Sequence, residues 1–244
     1  KHLNQTIVDQ ALEFGNPDDI HWYETDWLKR IRQVRSGQYS TAFNKITPQA
    51  SLLEFNINTY ADSYSLQSGP HFHYHRHHAS HAAAGYYTSP YKDAAVLVVD
   101  SIGEFETLTV WKGADRELKR KFSQKYPHSL GLWYSAMTQR IGLHRGCKQW
   151  APELNSIQDY ADIAAGVQAV YEYVFEHLIR QTRNLVPSRN IVLMGGCALN
   201  CVANRIAYKY FNNVWIMPNP GDAGSSVGCV LAHTKKFIEF DSPY

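Results

Sequence analysis

Residues 94–100 read "AAVLVVD", and the fold turns on them. A continuous apolar run of this length suits a strand buried on both faces. Downstream, "EFETLTVWKG" (104–113) alternates, and "ELKRKFSQKY" (117–126) follows a "GAD" turn, so three strands form a meander. The last third changes rhythm. "NIVLMGG" (190–196) is a strand ending in glycines, and "CALNCVANRIAYKY" (197–210) is a helix. "VWIMPNP" (214–220) is a second strand, and "GDAGSSVGCVLAHTKKFI" (221–238) is a loop leading into a helix. Strand, glycine and helix twice over predict an α/β sheet with a ligand at the strand ends. Further helices are expected over 1–15, 25–40 with Gly37 as a stop, 48–66, 129–142 and 160–184. "DIHWYE" (19–24) reads as a short strand, and residues 143–159 read as irregular. An Ala-rich helix gives way to the meander near Ser89–Pro90, which divides the chain into 1–89 and 90–244.

The bulk numbers exclude little. A chain of 244 residues holds one large domain or two lobes. Net charge is +2, so an anionic partner is neither demanded nor excluded. No apolar run approaches the ~18 residues of a membrane span. No signal-peptide pattern opens the chain. Cys147, Cys197, Cys201 and Cys229 form no CxxC pair, which argues against a structural zinc site. They read as free cysteines packed like small hydrophobes, consistent with a reducing, cytoplasmic setting.

Chemistry concentrates in three places. "HFHYHRHHASHAAAGYY" (71–87) holds six of the twelve histidines within residues 71–81. His71, His73, His75 and His77 alternate and would share one face of a strand. His77 and His81 are four apart in an Ala-rich segment and would stack on one face of a helix. Two imidazoles one turn apart can clamp a divalent cation, or the segment is a hydrated His-rich surface. Asp100 closes the apolar strand, as a ligand at the strand end or as a turn former. "LMGGCALN" (193–200) and "PNPGDAGSSVG" (218–228) each run a strand into glycines that open a helix, where backbone N–H groups can meet a phosphate. Asp222 lies in the second turn, as an N-cap, a metal ligand or both.

Taken in order, "HHASHAA", "SPY", "AAVLVVDSIGE", "LGLWYSAMTQRIG", "DIAAGVQ", "GGCALNCVAN" and "PNPGDAG" resemble one family. It is the O-carbamoyltransferases of antibiotics and nodulation factors, related to the tRNA threonylcarbamoyl transferases. The resemblance is strong over residues 70–233 and weaker over 1–60. It implies an actin-like ATPase fold with two lobes, the first incomplete in this chain. It implies a metal site at His77, His81, Asp100 and Asp222, holding Fe2+ by preference, or Mn2+ or Zn2+. Gly195, Gly196, Gly221, Gly224 and Ser225 would hold the nucleotide. Asn200 would touch nucleotide or substrate, and His78 is a candidate for handling a proton. In such enzymes carbamoyl phosphate and ATP give carbamoyl-adenylate, whose carbamoyl group passes to an acceptor hydroxyl.

The sequence also departs from that family. Its members open with strands carrying a "HDAS"-like turn and end in a domain that makes the carbamoyl-adenylate, so this sequence is expected to be either a piece of a longer protein or one that receives those parts from another chain. "GCKQWAPELNSIQDY" (146–160) replaces a "GKVMGLA"-like stretch and hints at a different acceptor. Two basic stretches, "LKRIRQVR" (28–35) and "RELKRKFSQK" (116–125), would serve a nucleic-acid acceptor such as a hydroxymethylated base, or are solvated faces. A third reading is a nucleotide- and metal-binding subunit without turnover of its own. No membrane partner is expected. His71, His73 and His75 have no assigned role and are expected to be partly exposed.

Overall fold

The computed structural model describes residues 5–15, 17–43, 71–142 and 156–239. The helix expected over 48–66, most of the irregular stretch 143–159 and Cys147 lie outside them. The chain divides into two compact units, Lys1–Arg76 and His77–Tyr244. The expected boundary at Ser89–Pro90 therefore falls inside the second unit. The Ala-rich helix packs on the sheet that follows it, because "HAAAGYY" has small side chains to let it lie close.

The first unit holds α1 (Gln5–Leu12), β1 (Asp19–Trp22), α2 (Asp26–Arg35), α3 (Tyr39–Phe43) and β2 (His71–Tyr74). The helix expected over 25–40 ends early. Gly37 takes φ +73, a left-handed conformation that suits glycine, and α3 starts afresh behind it. Strands β1 and β2 pair in parallel, with Asp19 opposite His71 and His21 opposite His73.

The second unit is a three-layer α/β structure. Helix α4 (His77–Thr88) leads into β3 (Asp93–Val99), β4 (Glu106–Ala114) and β5 (Glu117–Lys125), the expected meander. Then come α5 (Leu130–Arg140), α6 (Ile157–Leu185), β6 (Asn190–Met194), α7 (Cys201–Asn204), β7 (Asn213–Ile216) and α8 (Ser225–Thr234). The sheet order is β5-β4-β3-β6-β7, with β3, β6 and β7 mutually parallel.

The apolar run of β3 has its explanation here. Ala95, Leu97 and Val99 join one core with Tyr171, Phe175 and Ile179 of α6. Ala94, Val96 and Val98 join another with α4, Met217 and Leu231 of α8. A strand covered on both faces cannot alternate polar with apolar. Each large side chain buried in these cores contributes about 1.5–3 kcal/mol.

The helix expected over 197–210 is broken. A 3-10 turn spans Gly196–Leu199, α7 follows, and a second 3-10 turn spans Arg205–Lys209. Asn200 makes the break: its backbone leaves helical geometry, and its Oδ1 accepts from Ala203 N at 3.2 Å as an N-cap. Of the cysteines, Cys229 is buried, Cys197 half-buried and Cys201 exposed, so the packed-hydrophobe expectation fails for Cys201. Among the described residues, no helix is long and apolar enough to cross a membrane.

Candidate metal centre

His77 and His81 lie one turn apart on α4 and are almost fully buried. Asp100 follows the last residue of β3, and Asp222 sits in the turn before α8. The cap of α8 is Gly224, so Asp222 is not its N-cap. One ligand atom from each of the four residues lies within 4.8 Å of the other three. His77 Nε2 is 3.0 Å from Asp100 Oδ2, 3.1 Å from His81 Nε2 and 3.4 Å from Asp222 Oδ1. His81 Nε2 is 3.5 Å from Asp222 Oδ1 and 3.8 Å from Asp100 Oδ2. Ligands ~2.0–2.2 Å from a tetrahedral zinc-sized ion stand ~3.3–3.6 Å apart, and these separations scatter about that edge. Two imidazole nitrogens and two carboxylate oxygens thus fit one divalent transition ion.

The packing that supports these ligands is specific. Asp100 Oδ1 accepts from Gly196 N at 3.2 Å, which leaves Oδ2 to face the histidines. That contact requires the Gly195 turn: Gly195 takes φ +91, and a Cβ there would overlap the Val99 carbonyl oxygen. Burial works against the charge on Asp100, but the His77 hydrogen bond and the nearby His81 and His77 outweigh it. The carboxyl is held well below the usual carboxylate range. Asp222 is the accessible ligand, its side chain 38% exposed against 9% for Asp100. Helices α4 and α8 approach closely because Gly228 has no side chain; a Cβ there would run into Ser80 O.

Glu104 supports the site from outside the ligand set. It is buried, and both its carboxylate oxygens accept from His77 N, at 3.3 and 3.2 Å. A carboxylate at a helix N-terminus satisfies an otherwise unpaired donor and complements the helix dipole. It therefore anchors the end of α4 that carries the ligands. Sequence reasoning misses this role, because nothing in "SIGE" announces a contact to a residue 27 positions upstream.

The other expected site residues divide into two groups. Gly196 and Asn200 line a cavity of about 500 Å³ with Ser101, Gly131, Tyr134 and Gln168. Asn200 Nδ2 donates to Gln168 Oε1 at 3.0 Å, and Gln168 Nε2 returns a bond to Asn200 Oδ1 at 3.3 Å. Gly221 and Gly224 lie in the turn before α8, and Ser225 Oγ donates to Asp222 O at 2.7 Å. His78 does not join the four ligands. Its ring pairs with Thr109 Oγ1 at 3.0 Å, and burial, reinforced by the neighbouring His77, pushes its pKa down to about 3.

The basic stretches are partly spoken for. On α2, Lys29 pairs with Glu24 and Arg30 with Asp26. Residues 117–125 form the edge strand β5, where exposed lysines discourage pairing with another strand. His71 is exposed and His73 and His75 are half-buried, as expected.

Comparison with known proteins gives these residues a context. The family described as carbamoyltransferase N-terminus matches residues 3–151 and 148–231. An uncharacterized protein of Synechocystis sp., sll1178, is 29% identical over 227 residues, 68% of this chain and 37% of that protein. Nodulation protein NolNO of Sinorhizobium fredii is 22% identical over 204 residues, 64% of this chain and 30% of that protein. The chain thus spans about a third of the length of these curated relatives. Full-length HypF, solved in a phosphate- and nucleotide-bound form, is 14% identical with a TM-score of 0.48, over 84% of this chain and 41% of that one.

Proposed function

The chain belongs to the carbamoyltransferase N-terminus family, and from that premise we propose that it is the acceptor-modifying part of an O-carbamoyltransferase. It takes the carbamoyl group of carbamoyl-adenylate, made from carbamoyl phosphate and ATP, and passes it to an acceptor hydroxyl. The adenylate comes from a further domain or chain. The fold assigned with this reading is the actin-like one, supported by a mixed sheet that carries both site aspartates beyond its parallel strands.

One observation carries the reading: the His77–His81–Asp100–Asp222 set adjoins the cavity that its own supporting residue, Gly196, helps to line. Those four residues would hold a divalent ion, Fe2+ by preference or Mn2+ or Zn2+. When bound, the ion supplies a Lewis acid for a phosphate or carbonyl oxygen. The chain's own residues do the positioning. Gly196 N–H fixes the Asp100 carboxylate, and Glu104 fixes the end of α4. Asn200 has one Nδ2 proton beyond its bond to Gln168, available to a ligand in the cavity. The glycine turns at 195–196 and 221–224, with Ser225 behind the second, flank the nucleotide. In the transfer, the acceptor oxygen bonds to the carbamoyl carbon and the bond from that carbon to the phosphate oxygen breaks. AMP leaves with the electron pair, and the acceptor's proton goes to solvent.

The test is acceptor-dependent release of AMP. Metal-loaded chain is given carbamoyl-adenylate with a panel of sugar, antibiotic and hydroxymethylated-nucleoside alcohols, and AMP and carbamoylated product are counted. Equal AMP and carbamate ester with one acceptor class supports the reading. Tight adenylate binding without product from any acceptor would make the chain a binding subunit instead.

A further inference from the structure

The strand half of the histidine cluster has a partner that its own sequence does not reveal. In the parallel pair, Asp19 and His21 of β1 stand on the same face as His71 and His73 of β2, because register sets Asp19 against His71 and His21 against His73. The opposite face carries Ile20, Trp22, Phe72 and Tyr74. His75 extends the polar row just beyond β2, where its N–H donates to Trp22 O at 2.8 Å.

The side chains converge. His73 Nε2 is 2.7 Å from Asp19 Oδ1, and His21 Nδ1 is 3.0 Å from His75 Nε2. The rings of His21 and His73 stack at 4.7 Å. One ligand atom each from Asp19, His21 and His73 lies within 4.8 Å of the others, so small rotations on this partly exposed face bring all three onto one ion. The geometry points to a second metal site, in the first unit, formed by Asp19, His21 and His73 with His75 as a fourth ligand. Its donors, mainly imidazole with one carboxylate, suit Zn2+, Ni2+ or Cu2+.

A reason for the site follows from the strands themselves. Four residue pairs of two-stranded sheet are marginal in water. The contacts His21–His75 and Asp19–His73 each join residues 54 apart, so an ion held here would tie together two distant segments. This site is independent of the carbamoyl-transfer reading and concerns none of its residues.

Equilibrium dialysis of the tag-free chain against Zn2+, read by elemental analysis, tests it. The wild type is expected to bind two ions. H77A/H81A should keep one, and H21A/H73A should lose one. Because H21A/H73A could disturb the short sheet, D19N serves as the near-isosteric companion, and its second ion should bind at least about tenfold more weakly. Zinc should also raise the thermal midpoint of H77A/H81A, and at the same zinc concentration should raise that of the same variant carrying D19N clearly less. No zinc on H77A/H81A, two full-affinity ions on H21A/H73A, or D19N binding as tightly as wild type would each overturn the site.

Discussion

The six histidines of residues 71–81 lie in one short stretch, yet they sit in two different environments. His77, His78 and His81 are buried in the second unit, on a helix of small residues packed against the sheet. His71, His73 and His75 lie on or just past a four-residue strand in the first unit and keep contact with solvent. The difference is periodic before it is environmental. A spacing of four on a helix aims two Nε2 atoms at one buried point. A spacing of two on a strand spreads imidazoles along a face, and they become a cluster only when a second strand supplies Asp19 and His21. The buried pair is enclosed by the packing of a helix on the sheet, whereas the strand histidines are held by strand register together with the His73–Asp19 and His21–His75 contacts.

The sharpest way to break this comparison is H77A/H81A. It should lose about one equivalent of Fe, Mn or Zn after anaerobic reconstitution, along with any carbamoyl transfer, while far-UV circular dichroism stays unchanged. Retention of the full metal content would mean that the buried cluster is not the metal centre. G228A should come next. A methyl at that position meets Ser80 O and Ala84, and overpacking of this kind costs about 1–3 kcal/mol. The urea midpoint should fall accordingly. Because α4 carries His77 and His81 and α8 follows Asp222, buried-site affinity should fall with it while the strand site keeps its zinc. A variant as stable as wild type would show that the helices have room to separate.

E104Q sharpens the same contrast. It keeps the shape and removes the charge at the start of α4, so the helix loses about 0.5–1 kcal/mol of favourable interaction with its dipole. Carried through to the ligands on that helix, a loss of this size is about a two- to fivefold drop in metal affinity, expected at the buried site alone. Unchanged affinity, measured by competition with a chelator, would reduce Glu104 to a passive neighbour.

Much of this architecture is legible in the sequence. The run at 94–100 and the paired strand–glycine–helix units give the sheet, and the spacing of His77 and His81 gives half of the buried cluster. What is not legible depends on distance along the chain. Glu104 reaches back to His77, and Asp19 and His21 act only through a strand some fifty residues later, so neither leaves a local pattern. The break in the helix at 197–210 is hidden for another reason. Its composition is helical, but Asn200 satisfies the backbone better as a cap than as an interior residue. The boundary between units is hidden because the Ala-rich helix looks like a terminus in sequence, whereas its small face is what packs it onto the sheet.

The smallest effect concerns the thiols, and it tests burial on the cavity side of the buried centre. Burial, with the nearby Asp100 carboxylate adding to it, pushes the Cys197 thiol up to about 12, and burial pushes Cys229 up to about 11. Both are therefore thiols rather than thiolates near pH 8, and the thiolate is the reactive form. Cys201 is four residues from Cys197 and exposed. Brief treatment of the folded chain with iodoacetamide at pH 8, followed by peptide mass mapping, should label Cys201 well ahead of Cys197 and Cys229. Unfolding in urea should equalise the three. Early labelling of Cys197 in the folded chain would mean that solvent reaches behind Gly196, and that the Asp100 carboxylate is less enclosed than its contacts indicate.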